Sequence, residues 1–208
     1  MRVWLWTASA TLTAAAAAAI AASPMPAEPV IGAAAPGFTA TDMNGKPVKL
    51  ADYRGKPVVI EWNNPGCPFV QKHYKSGNMQ RTQAAAKSLG AVWLTVNSGA
   101  PGKQGYMDGA EARAFVASEK ASPTAYLLDP KGAIGHAYGA KTTPHMYVVD
   151  ASGKLVYAGG IDDIPSTDQA DIAKAHNYVL AALREIKAGK PVSVSESRPY
   201  GCSVKYAA

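Results

Sequence analysis

One cysteine, Cys67, stands where a short apolar run meets a turn and the start of a helix. Residues 58–62 are apolar or β-branched apart from one glutamate, Pro65 and Gly66 form a turn signal, and Pro68 suits the first helical position. A cysteine at a helix N-terminus lies beside unpaired backbone N–H groups and the positive end of the helix dipole, and both favour the thiolate. Because the thiolate is the nucleophile, this context predicts thiol chemistry at Cys67. The alternative is a buried structural cysteine.

The second of the two cysteines, Cys202, lies close to the C-terminal end. Two cysteines in an exported protein most often form a structural disulfide. A thiol on a tail can also resolve an oxidised Cys67, because a sulfenic acid condenses with a second thiol to give a disulfide. Both interpretations, a permanent staple and a redox partner, stay open at this stage.

The N-terminal residues are typical of a secretory signal peptide. Arg2 precedes a long apolar stretch, small residues surround position 21, and Pro24 and Pro26 follow. We therefore expect residues 1–22 to be a signal peptide and the mature protein to be periplasmic or secreted. A retained membrane anchor is the alternative.

Composition and charge are those of an ordinary globular domain. Apolar residues make up 48% of the 208 residues and charged residues 17%, which is enough for one domain with a real core. The net charge is +6, but the Lys and Arg residues are scattered, so nucleic-acid binding is not indicated.

Alternating apolar and amphipathic segments predict an α/β domain with a mixed sheet. An Asn-Gly hairpin is expected within residues 38–50, and the last strands form a second hairpin around residues 150–153. The predicted strands are 58–62, 91–96, 124–128, 146–149 and 155–157; the predicted helices are 68–89 with an interruption at 76–77, 108–120, 132–138 and 168–187. We expect residues 23–36 to be an irregular lead-in, residues 37–190 to be the domain, and residues 191–208 to be an extended tail that carries Cys202.

Several polar residues near these segments could also take part in chemistry. Lys72 and His73 follow Cys67 on the predicted helix, and we expect them to form a solvated face. His145 follows Pro144, and a histidine near a cysteine could bind copper or zinc, although the sequence shows no clustered ligand spacing. Residues 132–135 indicate a turn and helix start and lack a phosphate-binding pattern.

The joint pattern resembles the thioredoxin superfamily, and within it the redoxin branch of peroxiredoxin-like (AhpC/TSA-like) and periplasmic thioredoxin-like proteins. The segments that carry the resemblance are 65–68, 129–132, 138–144 and 148–154. The resemblance implies a thioredoxin-like three-layer α/β fold, with a mixed central sheet flanked by helices, an N-terminal hairpin and an extended C-terminal tail. It also implies that Cys67 is the reactive thiol. By the same resemblance Thr143-Pro144 is a cis-proline turn that packs against Cys67 and offers the Thr143 backbone to a substrate, whereas proline statistics alone favour a trans bond.

Two positions depart from the patterns of this superfamily. Val70 stands where the second cysteine of a Cys-x-x-Cys motif would be, which excludes a local disulfide. Asn64 stands where peroxiredoxins carry a Thr or Ser that orients the peroxide, and Ile60 replaces their upstream proline. Asn64 is still able to donate a hydrogen bond to a substrate.

These observations predict an exported, peroxiredoxin-like thiol oxidoreductase. Cys67 attacks a peroxide or a disulfide of a protein or small molecule, Cys202 resolves the product, and an external thiol reductant restores the pair; no cofactor is expected. The first alternative is a thiol–disulfide exchange protein, which the missing Thr or Ser before Cys67 favours. The second is a binding or copper-handling module in which a Cys67–Cys202 disulfide is structural.

Overall fold

The computed structural model describes Met1 and residues 28–207. The predicted signal peptide lies outside these residues except for Met1, so both it and the alternative anchor stay predictions. Residues 28–207 contain no helix with the length and apolar character needed to cross a bilayer.

The predicted strands and both hairpins are confirmed within one or two residues. In chain order the described strands are β1 (Thr39–Asp42), β2 (Pro47–Lys49), β3 (Val58–Trp62), β4 (Val92–Asn97), β5 (Ala125–Leu128), β6 (Thr142–Thr143), β7 (His145–Val149), β8 (Leu155–Gly159) and β9 (Cys202–Ser203). Seven of them form a mixed sheet in the order β2-β1-β5-β4-β3-β7-β8, in which β3, β4 and β5 are parallel and their neighbours antiparallel. The short strands β6 and β9 pair separately.

Residues 28–207 form five α-helices, which surround this sheet. They are α1 (Pro68–Lys75), α2 (Asn78–Ser88), α3 (Gly109–Ser118), α4 (Ala133–Ala137) and α5 (Tyr178–Lys187). The break between α1 and α2 at Ser76-Gly77 is confirmed, because Gly77 adopts φ +72.

The prediction of one continuous helix over residues 168–187 is wrong. A 3-10 turn, Gln169–Ala173, comes first, and α5 begins only after Asn177. Two capping residues explain the division. The Asp168 side chain accepts a hydrogen bond from Ala170 N–H, and the Asn177 side chain accepts one from Leu180 N–H, so each residue starts its own helical segment.

The core has the three layers that the resemblance implies. One face of the sheet packs against α1, α2 and α5 through residues such as Val59, Met146 and Val179. The other face packs against α4 and the N-terminal segment through residues such as Trp62 and Leu127. Both faces of β3 are therefore covered, which is why all five of its residues are buried.

The segments before β1 and after α5 both contact the β7–β8 hairpin. Residues 32–35 exchange backbone hydrogen bonds with the hairpin, although we expected this lead-in to be irregular. Further along β8, Ala158 N–H donates to Ser195 O over 3.0 Å, and Ser197 N–H donates to Ala158 O over 3.1 Å. The tail therefore covers the exposed edge of the sheet before it turns toward Cys67.

Candidate active site

Cys67 is the N-cap residue of α1, directly after the loop that leaves the central strand β3. Its backbone is extended, Pro68 occupies the first helical position, and Gln71 N–H donates to its carbonyl over 2.9 Å. The side chain is fully buried, with 0% exposure.

The turn before β7 lies against this thiol. The Thr143–Pro144 peptide bond is cis, as the resemblance implies. The Cys67 Sγ atom lies 3.0 Å from the Thr143 carbonyl oxygen, which accepts a hydrogen bond from the protonated thiol. Thr143 itself is buried, and the structure brings Cys67 into direct contact with Thr143, the residue before the cis-proline.

The tail brings Cys202 to the same point. Strand β9 pairs antiparallel with β6 so that Cys202 faces Thr143 in register, and both free cysteines therefore adjoin Thr143. Gly201 allows this close approach, because it adopts φ +135 and a Cβ there would collide with the Thr143 carbonyl oxygen. Cys202 is partly exposed, whereas Cys67 is buried beneath it.

The two thiols have different proton affinities. Burial raises the pKa of Cys67, but the hydrogen bonds from the Cys202 thiol and from Val70 N–H outweigh burial and leave this pKa below its ordinary value. Burial together with the hydrogen bond and negative charge of Cys67 raises the pKa of Cys202 to about 11. On ionisation, Cys67 is therefore the thiolate and Cys202 the proton donor, and the Thr143 carbonyl loses its hydrogen bond.

Asn64 is near the site, but its amide group is engaged elsewhere. Its Nδ2 atom donates to Gln104 Oε1 over 3.0 Å, and its Oδ1 atom accepts from Gly66 N–H over 2.9 Å. The contact that Asn64 makes with Cys67 is through the backbone, where Cys67 N–H donates to the Asn64 carbonyl over 3.0 Å.

The expectation that Lys72 and His73 form a solvated face is wrong. Lys72 is 1% exposed and donates to the Ile164 carbonyl over 3.0 Å, and His73 is 0% exposed. The cause is long-range docking, since Asp162 and Tyr200 close over this face of α1. Tyr200 OH donates to Asp162 and lies 3.3 Å from His73 Nε2.

A buried carboxylate on β3 is a further polar group that the sequence analysis did not single out. Glu61 is fully buried and accepts hydrogen bonds from four neutral donors, at distances of 2.8–3.3 Å: Tyr74 OH, Trp93 Nε1, Thr95 Oγ1 and Asn63 Nδ2. Burial raises its pKa, and the four donors oppose that effect. A single glutamate in an otherwise apolar strand is the sequence feature that marks such a residue.

His145 is adjacent to the turn, and one of its two ring nitrogens is held by neighbouring polar groups. Its Nδ1 atom lies 3.3 Å from Lys141 N and 3.1 Å from Tyr147 OH. Burial, and secondarily the charge of Lys141, lower its pKa to about 3. The described part of the chain holds no group of three or more His, Cys, Asp or Glu side chains suited to a metal ion.

This arrangement, with a cysteine at the start of α1 facing a cis-proline turn on a mixed sheet, defines a thioredoxin-like redoxin, a class of thiol oxidoreductases. The family model described as the AhpC/TSA family matches residues 31–158, more than half of the chain. The chain belongs to this family. The match includes Cys67 and Pro144, whereas Cys202 lies beyond it.

Solved structures share the fold. A hypothetical protein from Sinorhizobium meliloti 1021 has a TM-score of 0.72 at 23% identity and covers 86% of this chain and 96% of its own. An uncharacterized conserved protein from Geobacillus kaustophilus has a TM-score of 0.72 at 26% identity, over 86% and 93%. A putative thiol:disulfide interchange protein DsbE from Chlorobium tepidum has a TM-score of 0.52 at 27% identity, over 63% and 85%. The comparison with curated proteins found no match.

Proposed function

We propose that this protein is an exported, peroxiredoxin-like thiol oxidoreductase in which Cys67 reduces a peroxide and Cys202 resolves the product. The observation that carries the proposal is that both free cysteines adjoin Thr143 at the helix start: Cys67 Sγ lies 3.0 Å from the Thr143 carbonyl oxygen, and Cys202 pairs with Thr143 in register. A thiolate-favouring cysteine with a second thiol nearby is suited to a two-electron cycle between dithiol and disulfide.

The reaction has two steps. The Cys67 thiolate attacks one peroxide oxygen, the O–O bond breaks, and the alcohol or water leaves as Cys67 becomes a sulfenic acid. The Cys202 thiol then forms the S–S bond, and the sulfenic oxygen leaves as water. An external dithiol returns two electrons and two protons and is itself oxidised to a disulfide.

Access to Cys67 favours a small oxidant. The Cys67 side chain is 0% exposed, because the tail passes over it, and Cys202 is only partly exposed. A peroxide needs a smaller opening than a folded protein does. Since the resolving thiol is already adjacent, the sulfenic acid is captured without a large rearrangement.

Thiol–disulfide exchange is the second candidate, and two observations favour it. The Asn64 amide is held by Gln104 instead of facing a peroxide at Cys67. The main chain at Thr143 accepts an extended strand beside the thiol, which is how a polypeptide substrate would approach. In this reaction Cys67 attacks one sulfur of the substrate and expels the other as a thiolate, and Cys202 then displaces the first.

The test is a single-turnover experiment with the reduced, full-length protein. We expect one equivalent of hydrogen peroxide to be consumed with formation of a Cys67–Cys202 disulfide, identified by mass spectrometry after alkylation. Cys67→Ser should abolish peroxide consumption, whereas Cys202→Ser should complete one turnover and accumulate a sulfenic acid. Activity that survives Cys67→Ser would overturn the proposal, and turnover with a peptide disulfide but not with peroxides would establish the second candidate.

A further inference from the structure

Four residues beyond Cys202, the aromatic side chain of Tyr206 fills a socket against α4. The ring of Tyr206 stacks on His136 with centroids 4.1 Å apart, and the Tyr206 hydroxyl donates to the Ala140 carbonyl over 2.7 Å. Burial, with the nearby Asp129 charge, raises the pKa of Tyr206, so the hydroxyl stays a hydrogen-bond donor. The socket therefore recognises both the ring and its hydroxyl group.

Two glycines make room for this ring. A Cβ at Gly132 or at Gly135 would lie 2.6 Å from a ring carbon of Tyr206, closer than real carbon contacts allow. Gly135 lies inside α4. Because alanine is the better helix former, a glycine at this position destabilises the helix, and its presence needs another reason. The socket gives these two glycines of the 132–135 segment a role.

Between the cysteine and the aromatic ring, the tail is held mainly through its backbone. Strand β9 pairs with β6, Val204 N–H donates to the Lys141 carbonyl over 3.0 Å, and Ala100 N–H donates to the Lys205 carbonyl over 2.8 Å. The Val204 side chain adds a partly buried apolar contact. Main-chain hydrogen bonds accept an extended strand of almost any sequence, so the specific elements are the thiol at one end and the aromatic socket at the other.

We propose that this groove is a binding site for an extended segment of a partner polypeptide that carries a cysteine and, four residues later, an aromatic side chain. Residues 202–206 are the chain's own copy of that segment and occupy the groove when the partner is absent. The inference rests on the proposed function, because the partner's cysteine is the thiol that restores the oxidised pair.

The partner restores the oxidised pair by thiol–disulfide exchange. Residues 203–206 are held by non-covalent contacts, so they can leave the groove while the disulfide stands. The partner's thiolate forms a bond to Cys67 Sγ as the Cys67–Cys202 bond breaks, and Cys202 leaves as a thiolate. A second thiolate of the partner then breaks this mixed disulfide, so the partner loses two electrons and the pair gains them.

The test measures binding in trans to the full-length protein. An attached tail has an effective concentration in the millimolar range, so the host is the reduced Cys202→Ser/Tyr206→Ala variant, whose tail lacks both specific elements. The probe is a fluorescent peptide with the sequence of residues 199–207 and serine at the cysteine position. A second peptide carries alanine in place of the tyrosine.

We expect the tyrosine peptide to bind at least tenfold more tightly than the alanine peptide, because only the tyrosine peptide fills the socket. Adding Gly135→Ala to the host should abolish the preference by filling the socket. Because the new Cβ would also lie 2.9 Å from Ser98 Oγ, the urea midpoint of this variant is measured beside that of the host to show that both are folded. The matched control is Gly37→Ala, where a Cβ meets nothing within 4 Å, and it should preserve the preference.

Three results would overturn the inference: equal affinity for the two peptides, no binding of either, or a preference that survives Gly135→Ala. An unsubstituted protein that dimerises in light scattering while the host stays monomeric would also overturn it, since the groove would then hold the tail of a second copy. The assay involves no redox step, so its outcome is independent of the single-turnover test. An active Cys67–Cys202 pair without peptide preference refutes this inference alone, and peptide preference without redox activity refutes the proposed function alone.

Discussion

The Cys67 turn and the Cys202 tail meet at one point but are built in different ways. Cys67 lies between β3 and α1, whose own residues specify a strand, a turn and a helix start. Cys202 lies on an extended tail. Side chains of this tail attach it to the domain at separate points. Ser197 bonds to Tyr157 OH over 2.7 Å, and Tyr200 and Tyr206 fill two further sites on either side of the cysteine.

Because of this difference, one thiol is held rigidly and the other is able to move. The Cys67 thiol is positioned by the buried frame of the domain, so its geometry should persist throughout a reaction cycle. The Cys202 thiol depends on a few side-chain contacts and a two-residue strand pairing, so it can move away at low cost. A rigid nucleophile beside a detachable second thiol is the arrangement that the proposed cycle needs.

Removing the Tyr200 anchor should break this arrangement most strongly. The Tyr200 ring packs edge-on against Phe69, with centroids 5.8 Å apart, and its hydroxyl donates to buried Asp162. Tyr200→Ala should lower the free energy of unfolding by about 3–5 kcal/mol through the lost aromatic packing. It should also slow formation of the Cys67–Cys202 disulfide, measured by alkylation and mass spectrometry beside urea unfolding.

Tyr200→Phe is the matched control. It keeps the ring but removes the hydroxyl, which leaves Asp162 without that donor, and it should cost about 1–3 kcal/mol. If Tyr200→Ala and Tyr200→Phe destabilise the protein equally, the aromatic packing is not what holds the tail.

The Cys67 side of the site could be predicted from the sequence because its determinants are local. The strand, the turn, Pro68 and the helix start lie within eleven residues, and each carries a short-range preference. The cis bond before Pro144 came from family resemblance, because proline statistics alone favour trans.

The tail side could not be predicted because its determinants are distant in sequence. Lys72 and His73 were expected in solvent, and nothing in α1 indicates that Tyr200 will cover them. No sequence pattern links Tyr206 to Gly135, and the two residues come into contact only in the folded structure. Contacts of this kind depend on tertiary docking, which overrides local propensity.

The folding stability of the domain that positions Cys67 should decrease at acid pH. Burial lowers the pKa of His145 to about 3, and His73 behaves in the same way. A neutral buried histidine contributes stability that is complete above about pH 6.5 and is lost as the pH falls toward 3, since the unfolded chain binds the proton first. The free energy of unfolding should therefore fall by about 2–3 kcal/mol for each of these two histidines when the pH is lowered from 7 to 4.5. Glu61, whose pKa burial raises, opposes part of this loss.

Urea unfolding at several pH values measures how much protonation of His145 contributes to this loss of stability. His145→Asn keeps a hydrogen-bond acceptor near Lys141 N–H but cannot take up a proton at this pH, so its stability should fall less on acidification than that of the unsubstituted protein. The exposed His176 provides the control, and His176→Asn should leave the pH profile unchanged. Parallel profiles for all three proteins would show that burial of His145 does not govern acid stability.

The smallest expected effect concerns the proton balance between the two thiols. Cys202→Ala removes a hydrogen bond to the Cys67 sulfur and should raise the pKa of Cys67, whereas Cys202→Ser keeps a hydroxyl donor and should raise it less. Conversely, Cys67→Ala removes both a hydrogen bond and a negative charge and should lower the pKa of Cys202 from about 11 toward 9.0, the ordinary value. Ultraviolet absorbance of the thiolate against pH measures both shifts. A Cys67 pKa that is identical in the Cys202→Ala and Cys202→Ser variants would show that the helix start alone sets it, and the tail would then supply only a resolving thiol.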